Sequence, residues 1–163
     1  MKIYTIGHST RTLEDFIDIL KYYKIQLLID VRQFPGSKKF PWFNKESLEQ
    51  ELPKNKIQYI HFSELGGFRK GGYLAFTQTK EFINGIKKLL ETIDNKTTAI
   101  MCAEILFWRC HRKYISEELV NQGIEVIHIL NKEKIFEHKL KSKEIQEKMN
   151  LKIFCDKIRK NYI

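Results

Sequence analysis

Cysteine is scarce in this chain of 163 residues, and long hydrophobic runs are absent. The three cysteines, at positions 102, 110 and 155, are odd in number and widely spaced, so we expect free thiols rather than a disulfide framework. No apolar run approaches the ~18 residues of a membrane-spanning helix. The first residues also lack the apolar stretch and cleavage pattern of a secretory signal. These absences predict a cytoplasmic protein with no membrane partner.

Phosphate-loop and dinucleotide motifs are also missing. Neither GxxxxGK[ST] nor GxGxxG occurs, so the sequence favours neither nucleoside triphosphate hydrolysis nor dinucleotide binding. Adjacent Cys110 and His111 are compatible with zinc, but zinc sites repeat their ligands at short intervals and no second compact pair is present. We therefore expect neither a metal nor a cofactor.

Positive charge is in excess. The formal net charge is +9, and residues 131–163 hold ten Lys and Arg against five Asp and Glu. Clustered Lys and Arg gain free energy by displacing the counterions of phosphates, so an anionic small molecule or a nucleic acid is the expected partner. The oligomeric state is left open by the sequence.

Hydrophobic periodicity alternates between strand and helix patterns along the chain. The predicted strands cover residues 2–6, 26–31, 57–62, 97–102 and 125–130. The first predicted helix begins after Thr12, which caps it. The other predicted helices cover residues 45–51, 79–93 and 112–121. This alternation predicts an α/β fold, a single three-layer Rossmann-like domain over residues 1–140 with a mostly parallel sheet of about five strands. Residues 141–163 are expected to form a basic helical extension packed on the same domain, with Ser142 as a cap.

Polar side chains stand at the predicted carboxyl end of every strand, where open α/β sheets bind their ligands. They are Gly7 to Thr10, Asp30 to Arg32, His61, Cys102 to Glu104, and His128. Their agreement is a stronger signal than any one motif. We expect them to share one pocket along a single rim of the sheet.

The segment 97–112 carries the densest chemistry. Cys102 is a nucleophile if nearby cations or a helix start lower its thiol pKa, or else a small buried residue. Glu104 either pairs with Arg109 or Arg112, or transfers protons. Cys110 is expected to pack inward at a helix start. His111 is a candidate proton carrier, and Arg112 points towards an anion.

Further candidates for anion binding, including Ser37, lie in the other loops. His8, Ser9 and Thr10 offer donors to a phosphate near the first helix, or that helix is simply capped by Ser9, Thr10 or Thr12. Asp30 and Arg32 either form a salt bridge that positions Arg32, or Asp30 acts as a general base. Arg69 and Lys70, with Lys38, Lys39, Trp42 and Phe43, combine charge with stacking surfaces as single-stranded nucleic-acid sites do, or are solvated loop residues.

Several short blocks occur together in order along the chain. They are Gly7-His8-Ser9, Asp30-Val31-Arg32 with Pro35 and Ser37, Leu65-Gly66-Gly67, and Cys102-Ala103-Glu104 followed by Cys110-His111-Arg112. Together they resemble the family called domain of unknown function 488, over about residues 1–140. That family name carries no established reaction. The resemblance implies a fold and a site around these residues rather than a substrate.

A looser likeness connects the chain to rhodanese-like and cysteine-phosphatase domains. Strands of the LLIDVR type occur there, and a catalytic cysteine leaves a parallel strand into an anion-binding loop. Here Arg109 and Arg112 do not match the phosphatase spacing of cysteine, five residues and arginine, and the compact rhodanese loop is missing. Neither activity is transferred to this chain.

These observations favour an enzyme acting on an anionic, phosphate-bearing substrate, a nucleotide or a nucleic acid. Arg32, Arg69 and Arg112 would bind the charge, and Cys102, Glu104 or His111 would perform the chemistry. The alternatives are a non-catalytic nucleic-acid-binding module and a sulfur transferase that uses Cys102.

Overall fold

A computed structural model describes residues 1–140 of the chain. Its strands are β1 (Lys2–Gly7), β2 (Leu27–Asp30), β3 (Gln58–His61), β4 (Thr98–Cys102), β5 (Glu125–Ile129) and β6 (Ile135–Glu137). Its α-helices are α1 (Leu13–Tyr22), α2 (Lys45–Lys54), α3 (Tyr73–Phe76), α4 (Lys80–Ile93) and α5 (Arg112–Asn121). The predicted α/β class is confirmed. The expected tail helix and its cap at Ser142 lie outside the described residues.

The strands form one sheet in the order β3-β2-β4-β1-β5-β6. The five predicted strands are mutually parallel, and β6 pairs antiparallel with β5 at the edge. The sequence did not predict β6, because its three residues, all exposed, lie in a strongly charged segment without a strand pattern. The mostly parallel sheet is confirmed, with one more strand than expected.

Helices cover both faces of the sheet, which gives three layers. Helices α1 and α2 pack on one face through Phe16, Leu20, Leu48 and Leu52. Helices α4 and α5 pack on the opposite face through Phe82, Leu89, Ile115 and Leu119. Because both faces are covered, the central strands β2 and β4 are fully buried and read as continuous apolar runs.

Local signals explain most helix boundaries. The hydroxyl of Thr12 accepts a hydrogen bond from the backbone N–H of Asp15, and Thr79 caps α4 in the same way through Phe82. Helix α5 is followed by Gly123 in the left-handed region, as expected for a helix stop. The short helix α3, which the sequence did not predict, follows the two glycines at 71 and 72.

The neighbours β1 and β4 have connections that leave towards opposite faces. The chain after β1 forms α1 on one face, whereas the chain after β4 forms α5 on the other. Backbone N–H groups of His8 and Ser9 donate to the carbonyls of Cys102 and Ala103, which holds the two exits side by side. A crevice for ligands opens at such a switch point.

No helix among residues 1–140 has the length and apolar character needed to cross a membrane.

Candidate functional site

A cavity of about 530 Å³ opens beyond the carboxyl ends of β2 and β4. Both Cys102 and Cys110 line it, and we call it the dithiol cavity. The residues used below that line it are Arg32, Arg69, Glu104, Arg109 and His111, together with the aromatic residues Phe34, Phe68 and Tyr73. The cavity therefore combines thiols, an imidazole, a carboxylate and guanidinium groups.

The sulfur atoms of Cys102 and Cys110 lie 2.6 Å apart. Cys102 is the last residue of β4, and Cys110 lies two residues before α5. Both residues are free thiols. The strand and the helix hold the two sulfurs in contact although seven residues separate them along the chain.

Cys110 is surrounded by groups that stabilise a thiolate. The Cys102 sulfur lies 2.6 Å from its sulfur, Nδ1 of His111 lies 3.7 Å from it, and the backbone N–H of Arg112 donates to it at 3.5 Å. The hydrogen bond with Cys102 lowers the pKa of Cys110, and the nearby His111 and Arg112 act in the same direction. Cys110 is therefore the more acidic thiol of the pair.

Cys102 has the opposite character. Burial raises its pKa, and its exposed fraction is 2% compared with 9% for Cys110. Cys102 is therefore the less acidic thiol of the pair. The residue expected to be the nucleophile is the less accessible and less acidic thiol.

His111 is oriented by a carbonyl group of the neighbouring strand exit. Its Nε2 lies 3.0 Å from the carbonyl oxygen of Val31, so Nε2–H donates there and Nδ1 presents its lone pair towards Cys110. This arrangement lets His111 accept the thiol proton, which is the pattern of an activated nucleophile. The predicted role of His111 as a proton carrier thus has a geometric basis.

Arg32 is fixed by Asp30 in a buried, bidentate salt bridge. Nε and Nη2 of Arg32 donate to the two carboxylate oxygens at 2.9 and 2.6 Å, and the Tyr59 hydroxyl donates to Asp30 at 2.6 Å. Asp30 is fully buried and fully engaged. Of the two alternatives open for this pair, the structure shows the salt bridge that positions Arg32.

A second cavity of about 470 Å³ shares Arg32, Phe34, Ala103 and Glu104 with the dithiol cavity. His8, Ser9 and Ser37, three of the predicted anion-binding residues, line this second cavity. Burial lowers the pKa of His8 to about 4, so the ring is neutral, and its Nε2 accepts a hydrogen bond from Arg32 at 3.1 Å. Ser9 has a positive φ of 51°.

Glu104 lies between the two cavities without an ion pair. Its carboxylate accepts a hydrogen bond from the backbone N–H of Leu106 at 3.0 Å. Among residues 1–140 it forms no salt bridge with Arg109 or Arg112, so the expectation of an ion pair is wrong for both. Glu104 lines both cavities, and the alternative of proton transfer stays a prediction.

Arg112 lies beneath the loop rather than in a cavity. Its exposed fraction is 1%, and its guanidinium donates to the Thr5 hydroxyl and to the carbonyls of Glu104 and Ile105. It lines neither cavity. Its side chain therefore supports the loop after β4, and the structure does not bring it together with Arg32 and Glu104 at a shared surface.

Arg69 lines the dithiol cavity and organises the glycine-rich loop. It donates to the carbonyls of Ser63, Glu64 and Gly66, and its guanidinium lies 3.9 Å above the ring of Phe76. No carboxylate among residues 1–140 forms a salt bridge with it. Its positive charge is therefore not neutralised by a carboxylate of these residues, although its Nε and Nη2 are engaged by the carbonyls.

The model of the family described as "Domain of unknown function DUF488" matches residues 12–119. The chain belongs to this family. The match includes every lining residue of the dithiol cavity. No curated protein and no solved structure matches the chain in the corresponding comparisons.

Sequence reasoning missed Phe34 and Phe68, which stand at the cavity of the DUF488 domain, and gave Arg109 no anion-binding role. Arg109 is exposed, and its side chain has no hydrogen-bond or ion-pair partner within residues 1–140. Phe34 and Phe68 are 70% and 87% exposed, with ring centroids 5.8 Å apart. Phe68 also has a positive φ of 51°, which is strained for a bulky residue. Arg109 and Phe68 directly adjoin the candidates Cys110 and Arg69, and this adjacency was the available sequence signal.

Other predicted residues lie away from the cavities of this DUF488 domain. His61 contacts the carbonyl of Arg32, and His128 is buried between Thr5 and His138. The aromatic residues expected to stack on a ligand are also engaged elsewhere. Phe43 is buried against His8, and Trp42 donates to the carbonyl of Arg11.

Metal ligands are not clustered in the described part of the domain. No group of three or more His, Cys, Asp or Glu side chains within residues 1–140 is arranged to hold an ion.

Proposed function

We propose that this protein is an enzyme that acts on an anionic, phosphate-bearing substrate, a nucleotide or a nucleic acid, in the dithiol cavity. Cys110 is the nucleophile, His111 accepts its proton, and Glu104 exchanges a proton with the substrate. The observation that carries the proposal is the placement of the acidic Cys110 thiol in the same cavity as the unpaired guanidinium of Arg109.

The charges at the cavity support an anion as substrate. Arg69 and Arg109 both line it without a carboxylate partner among the described residues, whereas Arg32 is neutralised by Asp30. The guanidinium of Arg109 gains from the bidentate hydrogen bonds that a phosphate offers, and Arg69 adds positive charge although its Nε and Nη2 already donate to carbonyls. Arg109 therefore takes the anion-binding role that the sequence predicted for Arg112.

Two exposed phenyl rings support a planar base attached to that phosphate. Phe34 and Phe68 contact each other at an interplanar angle of 47° in the cavity that the thiols line, although exposing both rings to water is unfavourable in the unliganded protein. Bases stack on such rings with about 1–3 kcal/mol each. The base of a nucleotide would stack on the rings while its phosphate binds Arg109.

The proposal is tested by binding of adenosine 5′-monophosphate, measured calorimetrically with Arg109→Met and its matched control Lys70→Met. Both variants remove one exposed positive charge, but Lys70 does not line the cavity. We expect Arg109→Met to weaken binding by about tenfold or more, because a hydrogen bond to a charged group contributes about 1.5–3 kcal/mol. Lys70→Met should change it by less than about threefold.

The rival function is a non-catalytic nucleic-acid-binding module, favoured by the net charge of +9. Such a module would bind single-stranded oligonucleotides with a strong dependence on salt and would lose similar affinity in both variants. Equal losses, or no binding of the mononucleotide by the natural protein, would overturn the proposal of a phosphate-bearing substrate.

A further inference from the structure

The contact between Cys102 and Cys110 has a consequence beyond the acidity of one thiol. The two sulfurs are 2.6 Å apart, and a disulfide bond is about 2.05 Å long, so bond formation requires only a small approach. Cys102 ends the central strand β4, and Cys110 precedes α5. Two regular elements of the fold thus hold the sulfur atoms close to disulfide-bonding distance.

Both sulfurs belong to residues that line an open cavity. A structural thiol pair sealed in the core would be inaccessible to other molecules, but Cys102 and Cys110 line the dithiol cavity beside Arg69 and Arg109. Both thiols are buried, and the less buried of the two, Cys110, is also the more acidic. This asymmetry is that of an attacking and a resolving thiol.

We propose that Cys102 and Cys110 form a redox-active dithiol that reduces a small disulfide bearing anionic groups. The inference rests on the assignment of Cys110 as the nucleophile in the proposed function, and it adds Cys102 as a second catalytic residue. Carboxylates of the disulfide would meet the charges of Arg69 and Arg109. Disulfides in reducing compartments are commonly catalytic or redox-sensing rather than structural.

The reaction balances in two exchange steps. The Cys110 thiolate attacks one sulfur of the substrate R–S–S–R′, forming Cys110–S–S–R and releasing R′–S⁻. Cys102 then loses its proton to R′–S⁻ or to His111, and its thiolate attacks the sulfur of Cys110, releasing R–S⁻. The products are the Cys102–Cys110 disulfide and two thiols. Two electrons pass from the cysteines to the substrate, and an external thiol restores the reduced enzyme.

Oxidised glutathione is the probe for this reaction, because it is a small disulfide with several carboxylates. The reduced full-length protein is incubated with it, quenched with acid, alkylated and analysed by mass. We expect the loss of two hydrogen atoms and no lasting glutathione adduct. Trypsin cleaves after Arg109, so the disulfide should link the peptide 97–109 to the peptide 110–112. Cys155 falls in the separate peptide 153–157 and serves as an internal comparison.

Two variants assign the roles of the thiols. Cys102→Ser should accumulate a glutathione adduct on Cys110, because no resolving thiol remains. Cys110→Ser should accumulate no adduct on Cys102. A Cys155→Ser variant should form the disulfide as the natural protein does. Melting temperatures of the variants verify that each is folded, and the mapping of the natural protein requires no variant.

The inference is overturned if Cys102 and Cys110 both remain alkylatable in excess oxidised glutathione while the urea-unfolded chain reacts. It is also overturned if the adduct is trapped on Cys102 in Cys110→Ser and not on Cys110 in Cys102→Ser. Adenosine 5′-monophosphate plays no part in this experiment. Disulfide formation without mononucleotide binding would therefore refute the phosphate substrate alone, and mononucleotide binding without disulfide formation would refute the dithiol alone.

Discussion

Arg112 donates a hydrogen bond from Nη1 to the hydroxyl oxygen of Thr5 at 3.2 Å, inside the protein. The same hydroxyl lies 2.6 Å from Nδ1 of His128, so a helix and two strands meet through polar groups beneath the site. Arg112 also donates to carbonyls of residues 104 and 105. The loop that carries Glu104 is thereby attached to the core.

Arg112→Met should therefore lower the free energy of unfolding by about 2–4 kcal/mol, because buried carbonyls and the Thr5 hydroxyl lose their donor. The matched variant Arg109→Met removes an exposed guanidinium and should change stability by less than about 0.5 kcal/mol. Urea unfolding of both proteins measures the difference. Equal stabilities would show that Arg112 does not support the loop.

Gly7→Ala should disrupt the loop after β4 from the opposite side. A Cβ atom at Gly7 would overlap the carbonyl group of Glu104 and lie 2.7 Å from Cα of Ile105. We expect a loss of about 2 kcal/mol or more, since backbone atoms cannot move aside cheaply. Gly36→Ala is the control, because nothing lies within 4 Å of its Cβ position. If both variants melt at the same temperature, the close approach at Gly7 is not real.

Asp30→Asn should strongly destabilise the fold. The change leaves the buried guanidinium of Arg32 without its carboxylate, and breaking a buried ion pair costs about 3–5 kcal/mol. Tyr59→Phe removes only one hydrogen bond to the same carboxylate and should cost about 1 kcal/mol. Unfolding in guanidinium chloride measures the stabilities of the two variants. A smaller effect for Asp30→Asn than for Tyr59→Phe would refute the central role of the ion pair.

Acid should destabilise the protein through His128. Burial lowers the pKa of this residue to about 3, and the charges of His138 and Arg112 act in the same direction. The unfolded state binds a proton below the ordinary value of 6.5, whereas the folded state does not until about pH 3. The contribution of His128 is therefore complete above pH 6.5 and is lost as the pH falls below it.

The expected slope from this one residue approaches about 1.4 kcal/mol per pH unit over the middle of that interval. His128→Asn should reduce the slope by that amount, measured by urea unfolding at a series of pH values. His8 has a lowered pKa of about 4 and should leave a similar slope in the variant. An unchanged slope in His128→Asn would mean that His128 binds its proton in the folded state.

The sheet was predictable because its five parallel strands are buried on both faces. Such strands read as continuous apolar runs, as in residues 27–30 and 98–102, and their carboxyl ends necessarily meet at one edge. The gathering of Arg32, Cys102 and Glu104 at one edge follows from this rule. Strand β6 escaped prediction, since three residues amid charges carry no periodic signal.

The direction of each side chain was not predictable from the sequence. Arg109 lies in a 3₁₀ turn and faces the cavity, whereas Arg112 is the first residue of α5 and faces the core, although only two residues separate them. Likewise, the contact between Cys102 and Cys110 depends on how the loop 103–109 closes. Tertiary packing decides the direction of each side chain, and an irregular loop has no periodicity from which that direction could be inferred.

The most direct test of the account is the rate at which iodoacetamide alkylates Cys110 at about pH 6.5, where an ordinary thiol with a pKa of about 8.5 is almost wholly protonated. The product is located in the tryptic peptide 110–112 of the natural protein. In Arg109→Met, which lacks the cleavage site, it is located by fragmentation of the peptide 97–112. The account predicts rapid alkylation of Cys110, much slower alkylation of Cys102, and protection of Cys110 by adenosine 5′-monophosphate that is lost in Arg109→Met. Alkylation of Cys110 that becomes appreciable only above about pH 8.5 and is unaffected by the nucleotide would contradict it.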